Sequence, residues 1–180
     1  IIASMAGTPN LDWALENISE TKDFAEIEKH IKDIPAGCGG VIYHPYITPA
    51  GERNPFYNPN ARASFFGLST LTDRWTMIRA VYEGIAFIIK DCLATRGYDE
   101  PGKISIAGGG AKSAMWAQII ADVTGREVIV SDGTEFGAKG AAILAGVACG
   151  VYEDIPSACE KVIRLNEAQQ PDPERGAQYE

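Results

Sequence analysis

The sequence predicts an α/β fold in which a mixed sheet is flanked by helices. Short runs rich in β-branched residues alternate with longer segments whose apolar residues recur every three or four positions. Such alternation is typical of layered proteins with a sheet that is at least partly parallel. The chain has 180 residues, of which 46% are hydrophobic and 22% are charged, so it has the length and composition of one folded domain.

The charge balance excludes two classes of partner. The chain has 16 Lys and Arg against 24 Asp and Glu, giving a formal net charge of −8, and its cationic residues are scattered. Nucleic-acid and anionic membrane surfaces are bound by clustered cationic side chains. The apolar runs are also shorter than the roughly 18–20 residues that cross a bilayer. We therefore expect no nucleic-acid partner and no membrane partner.

Cysteine and histidine usage indicates neither a metal site nor a disulfide framework. Cys38, Cys92, Cys149 and Cys159 are dispersed without a C-x-x-C pair. The two histidines, at positions 30 and 44, are isolated from each other and from any pair of carboxylates at ligand spacing. The sequence thus predicts no metal-binding residue and favours a reducing cytoplasm as the location.

The first half of the chain is predicted to contain a strand, two helices, a second strand and a long loop. The first helix is expected to start at Thr8, whose hydroxyl would cap it, with Pro9 in the first helical position. The predicted ranges are 1–3 for the strand, 8–15 and 21–31 for the helices, 41–43 for the second strand and 45–60 for the loop. Loops of this length are usually functional or disordered, and the aromatic residues of this one favour an ordered loop. Its Arg53 could neutralise a phosphate or pair locally with Glu52.

The second half is predicted to alternate strands and helices around a central buried helix. The expected elements are a strand at 63–68, the central helix at 72–97, a strand at 103–107, a helix from 111, a strand at 128–130, and helices at 135–149 and 155–165 before a polar tail. On the central helix, Arg79 and Glu83 are four residues apart, a spacing typical of an ion pair on a helix surface.

The junction between the 103–107 strand and the next helix is the best candidate for a ligand site. It reads Gly108-Gly109-Gly110-Ala111-Lys112-Ser113. Glycines allow close approach of a ligand to the backbone, and a helix N-terminus attracts negative or polar groups. The stretch matches neither G-x-G-x-x-G nor G-x-x-x-x-G-K-[ST]. A tight turn with glycines for packing therefore explains it equally well.

The small residues of the helix at 135–149 indicate that this helix lies very close to a neighbouring group. Gly137 and Gly140 would each cost about 1 kcal/mol relative to Ala inside a helix, so the contact must compensate for that loss. A neighbouring element of the protein or a nucleotide base could make the contact.

Several ordered stretches resemble the C-terminal domain of the FGGY family of carbohydrate kinases. They are Gly7-Thr8-Pro9-Asn10-Leu11-Asp12-Trp13, Gly51-Glu52-Arg53-Asn54-Pro55, Asn60-Ala61-Arg62-Ala63-Ser64-Phe65-Phe66-Gly67-Leu68, Arg79-Ala80-Val81-Tyr82-Glu83-Gly84, Gly108 to Trp116, Gln118 to Val123, and Gly140-Ala141-Ala142. Thr76 departs from the family's second signature, which usually has His, Asp, Glu, Asn or Gln there. The resemblance covers nearly the whole chain and is closest to the xylulokinase and L-xylulose kinase branches.

The resemblance implies an actin-like ATPase fold, with a ribonuclease H-like core, in a two-lobed kinase that uses ATP and Mg²⁺ to phosphorylate a ketose such as xylulose. Residues 1–180 would form the C-terminal nucleotide-binding domain, inactive alone, with the catalytic Asp in an N-terminal lobe outside this chain. Asp12, Asp73 and Asp122 are not assigned as the base. Gly109, Gly110, Ala111 and Ser113 would bind the nucleotide.

Two alternatives remain open under this resemblance. The chain could be the lobe of a polyol kinase of the erythritol or glycerol type, or a non-catalytic nucleotide-binding or oligomerisation module. The expected partners are the sugar, ATP or ADP, the N-terminal lobe, and a second copy in a homodimer.

Overall fold

The computed structural model describes residues 4–95, 97, 102–133 and 135–180. The helices are Thr8–Asn17 (α1), Phe24–Ile31 (α2), Arg74–Ala94 (α3), Ala114–Thr124 (α4), Phe136–Ala148 (α5), Ile155–Val162 (α6) and Pro173–Gly176 (α7). The strands are Ile42–His44 (β1), Ser64–Phe66 (β2), Lys103–Ile106 (β3) and Glu127–Val130 (β4). This order confirms the predicted alternation, although the strand expected at residues 1–3 lies outside the described residues.

The described strands pair in both directions, as a mixed sheet requires, but they form two separate two-stranded sheets. β1 and β2 are antiparallel, with Tyr43 opposite Phe65. β3 and β4 are parallel, with Ile104 opposite Val128. Beyond α6 the chain returns along β4, where Leu165 and Gln169 make antiparallel bridges to Ser131 and Val128. The polar tail therefore widens the parallel pair.

The hydrophobic core is built around α3, which confirms the predicted central helix. This helix contacts α1, α2, α4 and β1. Ile78, Val81 and Tyr82 of α3 are fully buried. Gly84 lies against the backbone of Tyr43, where a Cβ would collide with the strand, so glycine allows α3 and β1 to approach closely. In the described part of the chain, no helix is both long enough and apolar enough to span a bilayer.

The expected cap of α1 is wrong, and close packing of the small residues of α5 is found at one of its three glycines. Thr8 does not cap α1, because the helix already begins at this residue and Gly7 stands in the capping position without a side-chain hydrogen bond. At Gly137 and Gly140 of α5 no described element makes the expected close contact, since a Cβ added to either would have no atom within 4 Å, whereas a Cβ on Gly146 would lie 2.7 Å from the Tyr152 ring.

Arg79 and Glu83 are buried, contrary to the expected surface pair. Their side chains are 6% and 4% exposed, and Arg79 Nε lies 2.8 Å from Glu83 Oε1. Tyr179 donates its hydroxyl to the same oxygen at 2.9 Å, and the Cys38 thiol donates to Glu83 Oε2 at 3.3 Å. Burial raises the pKa of Cys38, with the Glu83 charge adding to the effect, so the thiol stays protonated as a donor.

The loop at 45–60 is ordered around Glu52, as its aromatic residues predicted. The Glu52 side chain is fully buried. Its Oε1 accepts hydrogen bonds from the backbone N–H of Met5, Arg53 and Asn54, at 2.8, 2.8 and 3.2 Å. Ser4 donates its hydroxyl to Oε2 at 3.3 Å. Glu52 thus fastens the loop to the segment that leads into α1.

The glycine turn after β3 is shaped by packing against α4. A short 3-10 helix spans Gly109–Lys112, and Ser113 precedes α4 and accepts a hydrogen bond from Trp116 N through its Oγ. The Cα of Gly110 faces the Trp116 ring, and an added Cβ would lie less than 3 Å from two ring carbons. Close packing of this turn therefore requires glycine at position 110.

Glu83→Gln should destabilise the protein strongly, because the isosteric amide leaves the Arg79 guanidinium buried without its counter-charge. We expect a loss of about 3–5 kcal/mol in the free energy of unfolding. Urea-induced unfolding measures this loss. Glu16→Gln, which removes the exposed pair of Glu16 with Lys22, is the control and should cause no measurable change. An equal effect of both substitutions would contradict the buried network.

Gly110→Ala and Gly140→Ala should have opposite effects on stability. The first places a methyl group against the Trp116 ring and should cost about 1–3 kcal/mol. The second adds a methyl group in open space within a helix and should stabilise the protein by up to about 1 kcal/mol. Thermal unfolding of the two variants checks the signs. A stabilising Gly110→Ala substitution would show that the turn has room for a side chain.

Candidate functional site

A cavity of about 500 Å³ opens at the carboxyl ends of the parallel strands β3 and β4. This edge is where ligands bind in parallel α/β sheets. The volume falls within the range of about 300–1,000 Å³ usual for small-molecule sites. The lining is apolar on the side of α4 and α5 and polar on the side of the returning tail. It consists of Gly108, Ala111, Ala114, Val130, Ser131, Asp132, Gly133, Phe136, Asn166, Glu167 and Gln169.

Backbone pairing along β4 places the polar wall of this cavity. Asn166 N donates to Val130 O at 2.9 Å, and Asp132 N donates to Arg164 O at 2.9 Å. The Lys139 ammonium donates to Asp132 O at 2.9 Å and so fixes the chain where it leaves β4. Amide and carboxylate groups thereby face a pocket whose opposite wall is apolar, which suits a flat heterocycle carrying polar substituents.

The four residues predicted to bind nucleotide lie in different environments. Ala111 lines the cavity together with Gly108, and Gly109 begins the short helical turn beside it. Gly110 packs on Trp116, which supports the packing explanation of that glycine. Ser113 accepts from Trp116 N at 2.9 Å and donates to Glu28 Oε1 at 2.5 Å. Binding of nucleotide by these residues stays a prediction.

Glu28 does not line the cavity but contacts Ser113 at the end of the glycine turn, and the sequence did not reveal this contact. It lies on α2 and is half-buried. Its hydrogen bond with Ser113 brings a carboxylate to the N-terminus of α4. The pattern of three- and four-residue spacings gave no signal for it, because the contact joins residues far apart in the chain.

Two buried polar atoms lie beside this contact. The Tyr82 hydroxyl and Trp116 Nε1 have no hydrogen-bond partner among the described residues. Their rings meet edge to face, with centroids 5.5 Å apart. Burial raises the pKa of Tyr82, and the negative charge of Glu28 raises it further. The phenol therefore stays neutral.

Two of the three aspartates that were not assigned as a base, Asp73 and Asp122, have structural roles. Asp73 caps α3 and accepts from both the N–H and the hydroxyl of Thr76 at 2.7 Å, and these bonds lower its pKa. The departure at Thr76 thus supplies a capping hydroxyl. Asp122 is buried and binds Arg175 Nε at 2.6 Å, which anchors the tail to α4.

The long loop does not form the local acid–base pair that was one of its two interpretations. Glu52 is engaged by backbone donors, and the Arg53 side chain is exposed. Across the described ranges, no three His, Cys, Asp or Glu side chains are close enough together to hold a metal ion.

In sequence and in fold the chain is similar to several sugar and polyol kinases. The chain is 34% identical over 188 residues to an erythritol kinase of Brucella abortus. This match covers 98% of this chain and 36% of the erythritol kinase. It superimposes on a ligand-bound xylulose kinase from Lactobacillus acidophilus with a TM-score of 0.86 and 27% identity, over 98% of this chain and 36% of that one. A Plasmodium falciparum glycerol kinase with ADP superimposes with a TM-score of 0.78 and 25% identity. The superposition covers 95% of this chain and 34% of the glycerol kinase.

The fold is therefore that of the actin-like sugar kinases, and the chain spans about a third of the length of the curated relatives it matches. Residues 3–149 match the model for the C-terminal domain of the FGGY family of carbohydrate kinases. The chain belongs to that family.

Proposed function

We propose that this chain is the ATP-binding lobe of a kinase that phosphorylates a ketose, with a xylulose-type pentulose as the substrate. The observation that carries the proposal is the cavity beside the glycine turn, at the carboxyl ends of β3 and β4, in a member of a carbohydrate kinase family. The xylulose kinase and the ADP-containing glycerol kinase among its structural neighbours support the sugar and the nucleotide.

In this proposal the chain binds and orients the nucleotide, and the N-terminal lobe supplies the catalytic Asp. Phosphoryl transfer depends mainly on positioning and charge stabilisation. The backbone of Gly109 and Gly110 and the side chain of Ala111 would support the nucleoside, and Ser113 would hold the start of α4. Mg²⁺ would accompany the ATP phosphates. The described residues offer it no group of three ligands, so no step is assigned to metal held by this lobe.

The remaining parts of the proposal concern the protein as a whole. Residues 1–180 would act as one C-terminal nucleotide-binding domain that closes against the N-terminal lobe and is inactive without it. We place the protein in the cytoplasm, where ATP and reduced thiols occur, because the four cysteines are dispersed along the sequence without a C-x-x-C pair. A homodimer is the proposed assembly.

A second candidate substrate class is a polyol, because the erythritol kinase relative matches 98% of this chain at 34% identity. A non-catalytic nucleotide-binding module is the alternative to turnover. Release of ADP from ATP and Mg²⁺ should be measured in a protein carrying both lobes, against ketoses, ketonates and polyols. Turnover with xylulose supports the main proposal, and turnover with erythritol alone replaces the substrate class. ADP binding without turnover favours the module.

Ala111→Leu should weaken ADP binding by at least about tenfold, which corresponds to about 1.4 kcal/mol. The longer side chain would occupy the cavity next to the turn. Calorimetric titration of ADP into the two-lobed protein measures the dissociation constant. Ala94→Leu, at the exposed end of α3, is the matched control and should leave the constant unchanged. Equal affinities of both variants for ADP would show that the nucleotide does not bind in this cavity.

A further inference from the structure

The Glu28 carboxylate has one oxygen committed and one available. Oε1 accepts the Ser113 hydroxyl at 2.5 Å, whereas no described residue donates a hydrogen bond to Oε2. No Lys or Arg within the described ranges forms an ion pair with Glu28. Glu28 is half-buried and lies outside the lining of the cavity, and its second oxygen is beside Ser113, where the glycine turn leads into α4.

The position of this carboxylate is fixed by the core. Ile27 and Ile31 of α2 are fully buried, which sets the face of the helix on which Glu28 lies. The partner Ser113 is held by its hydrogen bond from Trp116 N, and the Trp116 ring is only 6% exposed. These contacts hold Glu28 beside the end of the glycine turn.

The charge of Glu28 decides which part of a nucleotide can lie beside it. The carboxylate already complements the N-terminal dipole of α4. A phosphate group at the same place would be repelled, because two negative charges would share one helix end. A group that donates a hydrogen bond is favoured. In ADP such donors belong to the nucleoside half, as ribose hydroxyls or the exocyclic amine of adenine.

We propose that Glu28 is a specificity-determining residue that accepts a hydrogen bond from the nucleoside half of the nucleotide. The inference rests on the proposed function of this lobe in ATP binding. Loss of one hydrogen bond to a charged acceptor weakens binding by about tenfold or more.

The test is calorimetric binding of ADP, 2′-deoxy-ADP, 3′-deoxy-ADP and IDP, without sugar, to the two-lobed protein. The wild type should bind at least one analogue about tenfold more weakly than ADP, and that analogue identifies the donor. In Glu28→Ala this ratio should fall to about one, because ADP binding weakens to the level of the analogue. Glu28→Gln retains an acceptor and should keep part of the ratio.

Two controls separate this role from a structural one. Glu26→Ala removes an exposed carboxylate from the same helix and should leave every ratio unchanged. Urea-induced unfolding of Glu28→Ala is the second control, because a variant that stays folded under the assay conditions and still loses the ratio has lost a contact with the nucleotide rather than its fold. If Glu28→Ala keeps the wild-type ratios while ADP still binds, the inference is wrong and the proposed function stands. If the wild type does not bind ADP, both are wrong.

Discussion

The carboxylate of Glu83 lies in the interior of the protein, where it can stay charged only if donors replace the water it has lost. It receives a guanidinium group from its own helix, a phenol from the end of the chain and a thiol from the segment before β1. Removing a charged pair from water costs several kcal/mol unless the geometry is good and the remaining lone pairs are satisfied. The burial of α3 therefore depends on bringing these distant segments together.

From α3 a series of contacts leads to the candidate site. Tyr82 meets Trp116 edge to face, which sets the height of α4 above the central helix. The Trp116 ring in turn determines where the backbone of Gly110 can run. The turn then ends in Ser113, whose hydroxyl reaches Glu28 on α2. The core therefore determines the geometry of the glycine turn. A substitution inside the core can change the candidate ligand site even though the substituted residue does not contact that site.

The order and type of the elements could be predicted because they depend on local patterns. The 3.6-residue period identified α3, and the β-branched run ending in three glycines located β3 and the turn after it. The pairing of Arg79 with Glu83 could be predicted, but its burial could not. An i,i+4 spacing looks the same in the sequence whether the pair is exposed or buried. Tyr179, the tail residue that covers this pair, is 96 positions away from Glu83. Glu28 and the cavity wall at Asn166 were missed for the same reason, since each acts through a partner far along the chain.

The separation between Glu83 and Tyr179 also has a consequence for protein synthesis. Their hydrogen bond spans 96 residues. At elongation rates of about 5–20 residues per second, α3 therefore exists for roughly 5–20 s before Tyr179 has been added to the chain. During this interval Arg79 and Glu83 lack one of their covering groups and the hydrophobic face of α3 is incomplete. The complete network around Glu83 can therefore form only after Tyr179 has been synthesised, so α3 acquires its final surroundings long after its own residues are made.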